Sequence, residues 1–119
     1  MWRSAALLAC AAFVVGVVAG AHAQKSQAQG NAEAGRALAL TACTGCHVVL
    51  PDQPFPPLIT GPPDFHRVAN RTDTTAAALR RWFSSLPTIP PPGKMANPDL
   101  TNEQVDDIIA FIMTLRDQR

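Results

Sequence analysis

Apolar residues recur at helical spacing near the C-terminus of the chain. Thr101 precedes this run, and Gln104 lies three residues after Thr101, which is the spacing of a capping box. The pattern predicts a C-terminal helix that begins after Thr101. The apolar positions follow the i, i+3, i+4, i+7 order of one helix face and are Val105, Ile108, Ile109, Ile112 and Leu115.

Two other segments also predict helices. Asn31 is a suitable N-cap for a run of strong helix formers from Ala32 to about Ala42. Thr74 is the predicted N-cap of a helix over about Thr75 to Ser85, and Phe65 to Ala69 predicts one short helical turn. No segment alternates as a strand does, so the chain is predicted to be all-α, with three or four helices. The apolar side of the third helix would contain Leu79, Trp82, Phe83 and Leu86.

The connections between these helices are rich in proline. Six prolines fall between residues 51 and 63, and a second cluster lies between residues 87 and 98. Proline lacks a backbone N–H and fixes φ, so neither stretch can be a regular helix or a central strand. Such stiff loops lose little conformational entropy on folding, which favours holding a bound group in a fixed geometry.

The first 23 residues have the pattern of a cleaved signal peptide. A short n-region with Arg3 precedes a small apolar stretch, and Ala21-His22-Ala23 gives an A-x-A cleavage site before Gln24. The alternatives are a retained membrane anchor, for which the stretch is short, and a lipoprotein signal at Cys10. We expect residues 1–23 to be removed, 24–30 to be a flexible N-terminus and 31–119 to form one domain in the periplasm.

Composition limits what a domain of this size can be. The signal leaves 96 of the 119 residues, Tyr is absent and only 6% of residues are aromatic. So small a core needs help from a disulfide, a metal or a bound cofactor. The net charge of +1 and the absence of a Gly-rich phosphate loop argue against nucleic acid or nucleotide partners.

The chemistry of the chain is concentrated in Cys43-Thr44-Gly45-Cys46-His47. This C-x-x-C-H order is typical of covalent haem c attachment, because two thiols at this spacing reach the two vinyl groups of a porphyrin and the histidine follows as an iron ligand. Three alternatives remain open. They are a redox dithiol, a structural disulfide, and a zinc site that takes a fourth ligand from His66 or a carboxylate.

A second iron ligand is predicted at Met95. An electron-carrying haem usually has a second protein ligand, and methionine raises the reduction potential. Met95 lies in the second proline-rich loop, which would hold it rigidly. The alternatives are Met113, which is expected to pack within the C-terminal helix, His66, or an open sixth position.

From Ala32 to Leu115 the sequence resembles the class I c-type cytochromes. The resemblance rests on the C-x-x-C-H motif after a helix that carries Gly35, and on a C-terminal helix with Phe111 in the family's aromatic position. It implies the all-α cytochrome c fold around one covalent haem, with close crossing of the two helices at Gly35. It also implies that the haem-free chain is largely unfolded, since the ring supplies much of the core.

The resemblance also implies roles for residues outside the motif. The Pro63 carbonyl, with Pro62 as its neighbouring alternative, would accept the Nδ1–H of His47. Arg71 corresponds to an arginine near a haem propionate. Trp82 would donate its indole N–H to the Met95 sulfur or to a propionate, or would only pack on the haem edge. The lysine-rich docking face of mitochondrial members is absent, and a modest basic patch or a solvated helix face is expected at Arg67, Arg71, Arg80 and Arg81.

The expected function is single-electron transfer in the periplasm. The expected partners are redox proteins, with a dehydrogenase as donor and an oxidase or another cytochrome as acceptor. We expect no nucleic acid, no small-molecule substrate, and membrane contact only if the signal is retained. The chain would be a monomer or a haem subunit of a larger periplasmic dehydrogenase. An alternative from the enzyme class is a small haem catalyst or sensor with an open sixth position.

Overall fold

A computed structural model describes residues 30–116, which contain four α-helices and no β-strand. In chain order they are α1 (Ala32–Ala42), α2 (Phe65–Ala69), α3 (Ala76–Ser84) and α4 (Asn102–Thr114). The all-α prediction is confirmed. No helix among these residues has the length and apolar character needed to cross a bilayer. The predicted signal peptide, nearly all of the predicted N-terminal segment and the last three residues lie outside the described part.

Two helices begin at the side chains that the sequence indicates. Asn31 Oδ1 accepts the backbone N–H groups of Glu33 and Ala34 at 3.0 and 3.1 Å at the start of α1. At the start of α4, Thr101 Oγ1 accepts the Gln104 N–H at 3.2 Å and Gln104 Oε1 accepts the Thr101 N–H at 3.0 Å. Both predictions, including the capping box, are confirmed.

The predicted start of α3 is wrong by one residue. Its N-cap is Thr75, whose Oγ1 accepts the Ala78 N–H at 3.0 Å. Thr74 is buried instead, and its hydroxyl donates to the Val68 carbonyl at 2.6 Å. The turn from α2 therefore draws the first threonine inward, where its hydroxyl needs a protein partner, and leaves the second free to cap the helix.

The closest helix packing joins α1 to α4. Gly35 is buried, and a Cβ atom at this position would overlap the backbone carbonyl of Asp107. The Asn31 N–H donates to Asp107 Oδ1 at 2.6 Å and ties the start of α1 to the same residue. The predicted close crossing at Gly35 is confirmed, and Phe111 is buried in α4 as expected.

The core continues from α4 to the segments that follow α1. The Phe65 and Phe111 rings lie 6.3 Å apart, and Val49 is almost fully buried. Just beyond the C-terminal end of α4, the Arg116 guanidinium donates to the carbonyl oxygens of Ala69, at 3.1 Å, and of Thr74. These contacts attach α2 and its flanking loops to α4. The buried apolar residues are Ala39, Val49, Phe65, Ala69, Leu79, Ile108, Ile109, Phe111, Ile112 and Leu115.

Candidate functional site

The C-x-x-C-H segment forms a tight turn that leaves the end of α1. Cys43 is the C-cap of the helix, and its N–H donates to the Ala39 carbonyl at 2.9 Å. The N–H groups of Cys46 and His47 both donate to the Cys43 carbonyl, at 3.1 and 2.9 Å. The turn therefore gathers both thiols and the imidazole within five residues. Gly45 has no left-handed backbone angle, so its backbone conformation alone does not require glycine.

The two cysteines are free thiols in different surroundings. Cys43 is half-buried and Cys46 is exposed. Burial, with a smaller contribution from the charge of Cys46, raises the pKa of the Cys43 thiol to about 11. Reactive dithiols have lowered pKa values, so this environment does not favour the redox alternative. Within residues 30–116, no three His, Cys, Asp or Glu side chains are grouped to hold a metal ion, so the zinc interpretation gains no support.

The ring of His47 is held in one orientation. Its Nδ1 lies 2.8 Å from the carbonyl oxygen of Pro63. Because a carbonyl only accepts, Nδ1 donates in this contact, and in the neutral tautomer that this selects Nε2 has the lone pair that a metal requires. Phe65 packs edge-on against the imidazole, with ring centroids 5.4 Å apart, and its N–H donates to the Val48 carbonyl at 2.9 Å. It is thus Pro63, not Pro62, whose carbonyl meets the ring.

A glutamine that the sequence analysis did not single out organises the loop after His47. Gln53 Oε1 accepts the N–H of Val49 at 2.7 Å and that of Leu50 at 3.4 Å. Its Nε2 donates to the carbonyls of Phe55 at 2.7 Å and His47 at 3.4 Å. The only signal in the sequence was a polar, uncharged residue between two prolines. A residue in such a loop belongs to no periodic pattern, so nothing separates Gln53 from other polar loop residues.

Met95 lies half-buried in a loop that is closed at its base. The Asn97 N–H donates to the Pro87 carbonyl at 2.8 Å, and Asn97 Oδ1 accepts the Asp99 N–H at 2.9 Å. Asp99 has φ 55°, a left-handed angle that this Asx turn supports. Met113, the alternative ligand, packs against the core from α4.

The remaining predicted residues lie on exposed surface. The Arg71 guanidinium binds the Asp73 carboxylate at 3.0 and 3.1 Å, and this contact holds the pKa of Asp73 below its usual value. Trp82 is 44% exposed and packs against Phe83 at 5.1 Å, and its indole N–H has no partner among the described residues.

The four arginines of the predicted basic patch are mostly neutralised by neighbouring acids. Arg67 lies 3.9 Å from Asp64, Arg71 pairs with Asp73, and Arg80 pairs with Asp106 of α4. An exposed ion pair contributes little stability, but it does cancel local charge. These contacts favour a solvated surface over a basic docking patch.

Several large apolar side chains are exposed. They come from α3 and both proline-rich loops, and an apolar group that covered them would remove apolar area from water. Two free thiols and an imidazole whose Nδ1 is held by the Pro63 carbonyl are the groups that a covalently attached haem requires. The side chains and their exposed fractions are Phe55 76%, Leu58 89%, Ile59 53%, Trp82 44% and Ile89 88%.

Comparison with known families also supports a haem-binding protein. The model of the family described as Cytochrome c matches residues 32–116, from the start of α1 to just beyond the end of α4. No curated protein and no solved structure matches the chain.

Proposed function

Because the chain belongs to the cytochrome c family of electron-transfer haem proteins, we propose that it carries single electrons in the periplasm through one covalent haem. The family indicates an electron carrier rather than an enzyme. In this proposal Cys43 and Cys46 would hold the porphyrin through thioethers, and His47 and Met95 would supply the two protein ligands of the iron. When bound, the haem supplies an iron centre that alternates between the ferrous and ferric states.

The orientation of His47 is the observation that carries this proposal. The 2.8 Å contact from Nδ1 to the Pro63 carbonyl fixes the tautomer and leaves Nε2 free. A hydrogen bond of this kind also makes an imidazole a stronger electron donor to a metal. Phe65 restrains the same ring from its edge. The ring orientation, directly after two free thiols, is the one that an iron-ligating histidine of a C-x-x-C-H motif requires.

Met95 is supported as the second ligand by the fixation of its loop. The Asn97 contacts at the base limit how far the loop can move. Met113 is less suitable because its side chain already packs against the core, and His66 lies exposed on α2. Two protein ligands leave no open position for a substrate, which favours a carrier over a catalyst or sensor.

Visible spectra of the exported protein test the ligand set. The protein is produced in a strain that attaches haem, and spectra are recorded in both redox states for the wild type, Met95→Ala and Met113→Leu. We expect a low-spin wild type with the weak far-red band of methionine bound to ferric iron. Met95→Ala should lose that band, and Met113→Leu, the matched control, should retain it.

The other outcomes of this experiment select the alternatives. A high-spin wild type would favour the catalyst or sensor with an open sixth position. Loss of the band in Met113→Leu alone would assign the ligand to Met113. A protein without covalent haem would overturn the proposal and return attention to the dithiol, disulfide and zinc alternatives.

The proposed compartment and partners rest on less direct observations. The A-x-A pattern before Gln24 supports export, so the N-terminus of the mature protein should be Gln24. The proposed partners are a dehydrogenase donor and an oxidase or cytochrome acceptor, which redox carriers contact through small, transient interfaces. Stable copurification with a dehydrogenase would instead identify the chain as a subunit of that complex.

A further inference from the structure

We propose that Gln53 is a positioning residue for the iron ligand His47. This inference rests on the proposed function, in which His47 binds haem iron. The side-chain amide of Gln53 spans the loop and makes four hydrogen bonds, two to backbone N–H groups and two to backbone carbonyls. One of those carbonyls, at 3.4 Å, belongs to His47 itself.

The composition of the loop explains why it depends on one side chain. Prolines at 51, 54, 56 and 57 supply no backbone donors, so secondary structure cannot organise this stretch. Between residues 48 and 61, all of which the structure describes, Gln53 is the only side chain that hydrogen-bonds to the backbone. An amide suits this position because it offers an acceptor and two donors in one half-buried group.

Residues 47–49 are held by hydrogen bonds from two parts of the chain, and Gln53 supplies one of these two sets. On one side the Pro63 carbonyl binds the ring, and the Phe65 N–H binds the Val48 carbonyl at 2.9 Å. On the other side Gln53 Oε1 binds the Val49 N–H at 2.7 Å. Without the Gln53 amide only backbone bonds hold the second side, such as that from the Leu58 N–H to the Gly45 carbonyl at 2.9 Å, and the imidazole gains freedom to move away from the Pro63 carbonyl. A weaker Nδ1–H···O bond makes the imidazole a poorer donor to iron and disfavours the ferric state.

The test uses the haem-loaded protein and two substitutions. Gln53→Ala removes the amide, and Gln53→Met removes it while keeping the length and bulk of the side chain. Thr60→Ala is the matched control, because Thr60 is exposed in the same loop and its side chain has no hydrogen bond within residues 30–116. Two quantities are measured: the reduction potential, and the solvent exchange rate of the His47 Nδ1–H by proton NMR of the ferrous protein.

We expect both Gln53 variants to shift the reduction potential upwards. Exchange of the His47 Nδ1–H should become roughly tenfold faster, as the loss of supporting hydrogen bonds implies. Thr60→Ala should match the wild type in both quantities. Gln53→Met keeps the test decisive if Gln53→Ala fails to fold.

Unchanged potential and exchange in a folded Gln53 variant would overturn the inference, even if the melting temperature falls, because the residue would then only stabilise the loop. This result would leave the proposed function intact. A wild-type protein without covalent haem would overturn the proposed function and this inference with it.

Discussion

Among single residues, Asn97 carries the contacts that fix the Met95 loop. Its side chain accepts the Asp99 N–H at 2.9 Å, and its own N–H reaches the Pro87 carbonyl at 2.8 Å. We expect Asn97→Ala to loosen the loop, so that added imidazole displaces Met95 from ferric iron with about fivefold higher affinity, the effect of one lost hydrogen bond. Spectroscopic titration of the ferric protein with imidazole measures this change.

Asn102→Ala is the matched control for that prediction. Asn102 begins α4 nearby, is exposed, and has no side-chain hydrogen bond among the described residues. Its replacement should leave imidazole affinity unchanged. Equal affinities in the wild type and Asn97→Ala would show that the Asn97 side chain does not hold the loop, and that its backbone contacts and prolines are sufficient.

The sequence predicts a single residue well where its role depends on near neighbours. Cys43, Cys46 and His47 stand in a contiguous motif whose spacing carries the chemistry. Gln53 could not be predicted, because its partners are backbone groups whose positions depend on the path of the loop. Adjacent prolines posed a similar problem: only the folded backbone distinguishes the Pro63 carbonyl from that of Pro62.

At the scale of elements, the α1–α4 crossing depends on the absence of a side chain at Gly35. A Cβ there would overlap the Asp107 carbonyl, which is backbone and cannot turn away. We expect Gly35→Ala to lower the free energy of unfolding of the haem-loaded protein by about 1–3 kcal/mol, the usual cost of overpacking. Urea unfolding followed by circular dichroism measures this loss.

A control for Gly35→Ala adds the same bulk to the exposed face of α1. Ala37→Ser also introduces one heavy atom, but Ala37 is exposed, so only helix propensity should change, by about 0.5 kcal/mol. A Gly35→Ala variant as stable as Ala37→Ser would mean that α1 shifts along α4 without cost.

Helix starts show where local signals suffice and where they fail. Asn31 and Thr101 each have the correct partners within three residues, so the sequence alone identifies them. Thr74 and Thr75 are equivalent by local criteria, and burial of the first against the Val68 carbonyl decides between them. The paths of the proline-rich loops were likewise unpredictable, because prolines exclude regular structure without specifying an alternative.

At the scale of the whole molecule, the apolar core is small, and several large apolar side chains lie outside it. Ile108 and Val49 are the largest side chains that are fully buried among the described residues. Several large apolar residues remain exposed, including Leu58 and Ile89. A haem that covers such residues would add the missing apolar contact area. We therefore expect the chain to fold stably only with its haem attached.

The thiol of Cys43 reports on the folding of the haem-free chain. In the folded environment its pKa is raised from 9.0 to about 11, so a folded haem-free chain would keep this thiol neutral. An unfolded chain would ionise Cys43 at a lower pH than the folded chain would. The free energy of unfolding of such a fold would therefore decrease as the pH rises from 9.0 towards about 11. Near pH 8 the folded thiol would also hold roughly a hundredfold less thiolate, and would be alkylated correspondingly more slowly.

We predict that iodoacetamide alkylates Cys43 of the haem-free chain at the same rate in buffer as in concentrated urea, because the chain without haem is largely unfolded. Mass spectrometry of the modified peptides separates Cys43 from Cys46, and Cys46, which is exposed in the fold, provides the internal reference. Alkylation of Cys43 that is slow in buffer, fast in urea and faster as the pH approaches 11 would contradict the prediction. The four helices would then fold on their own side chains, with α1 packed on α4 before any haem is attached.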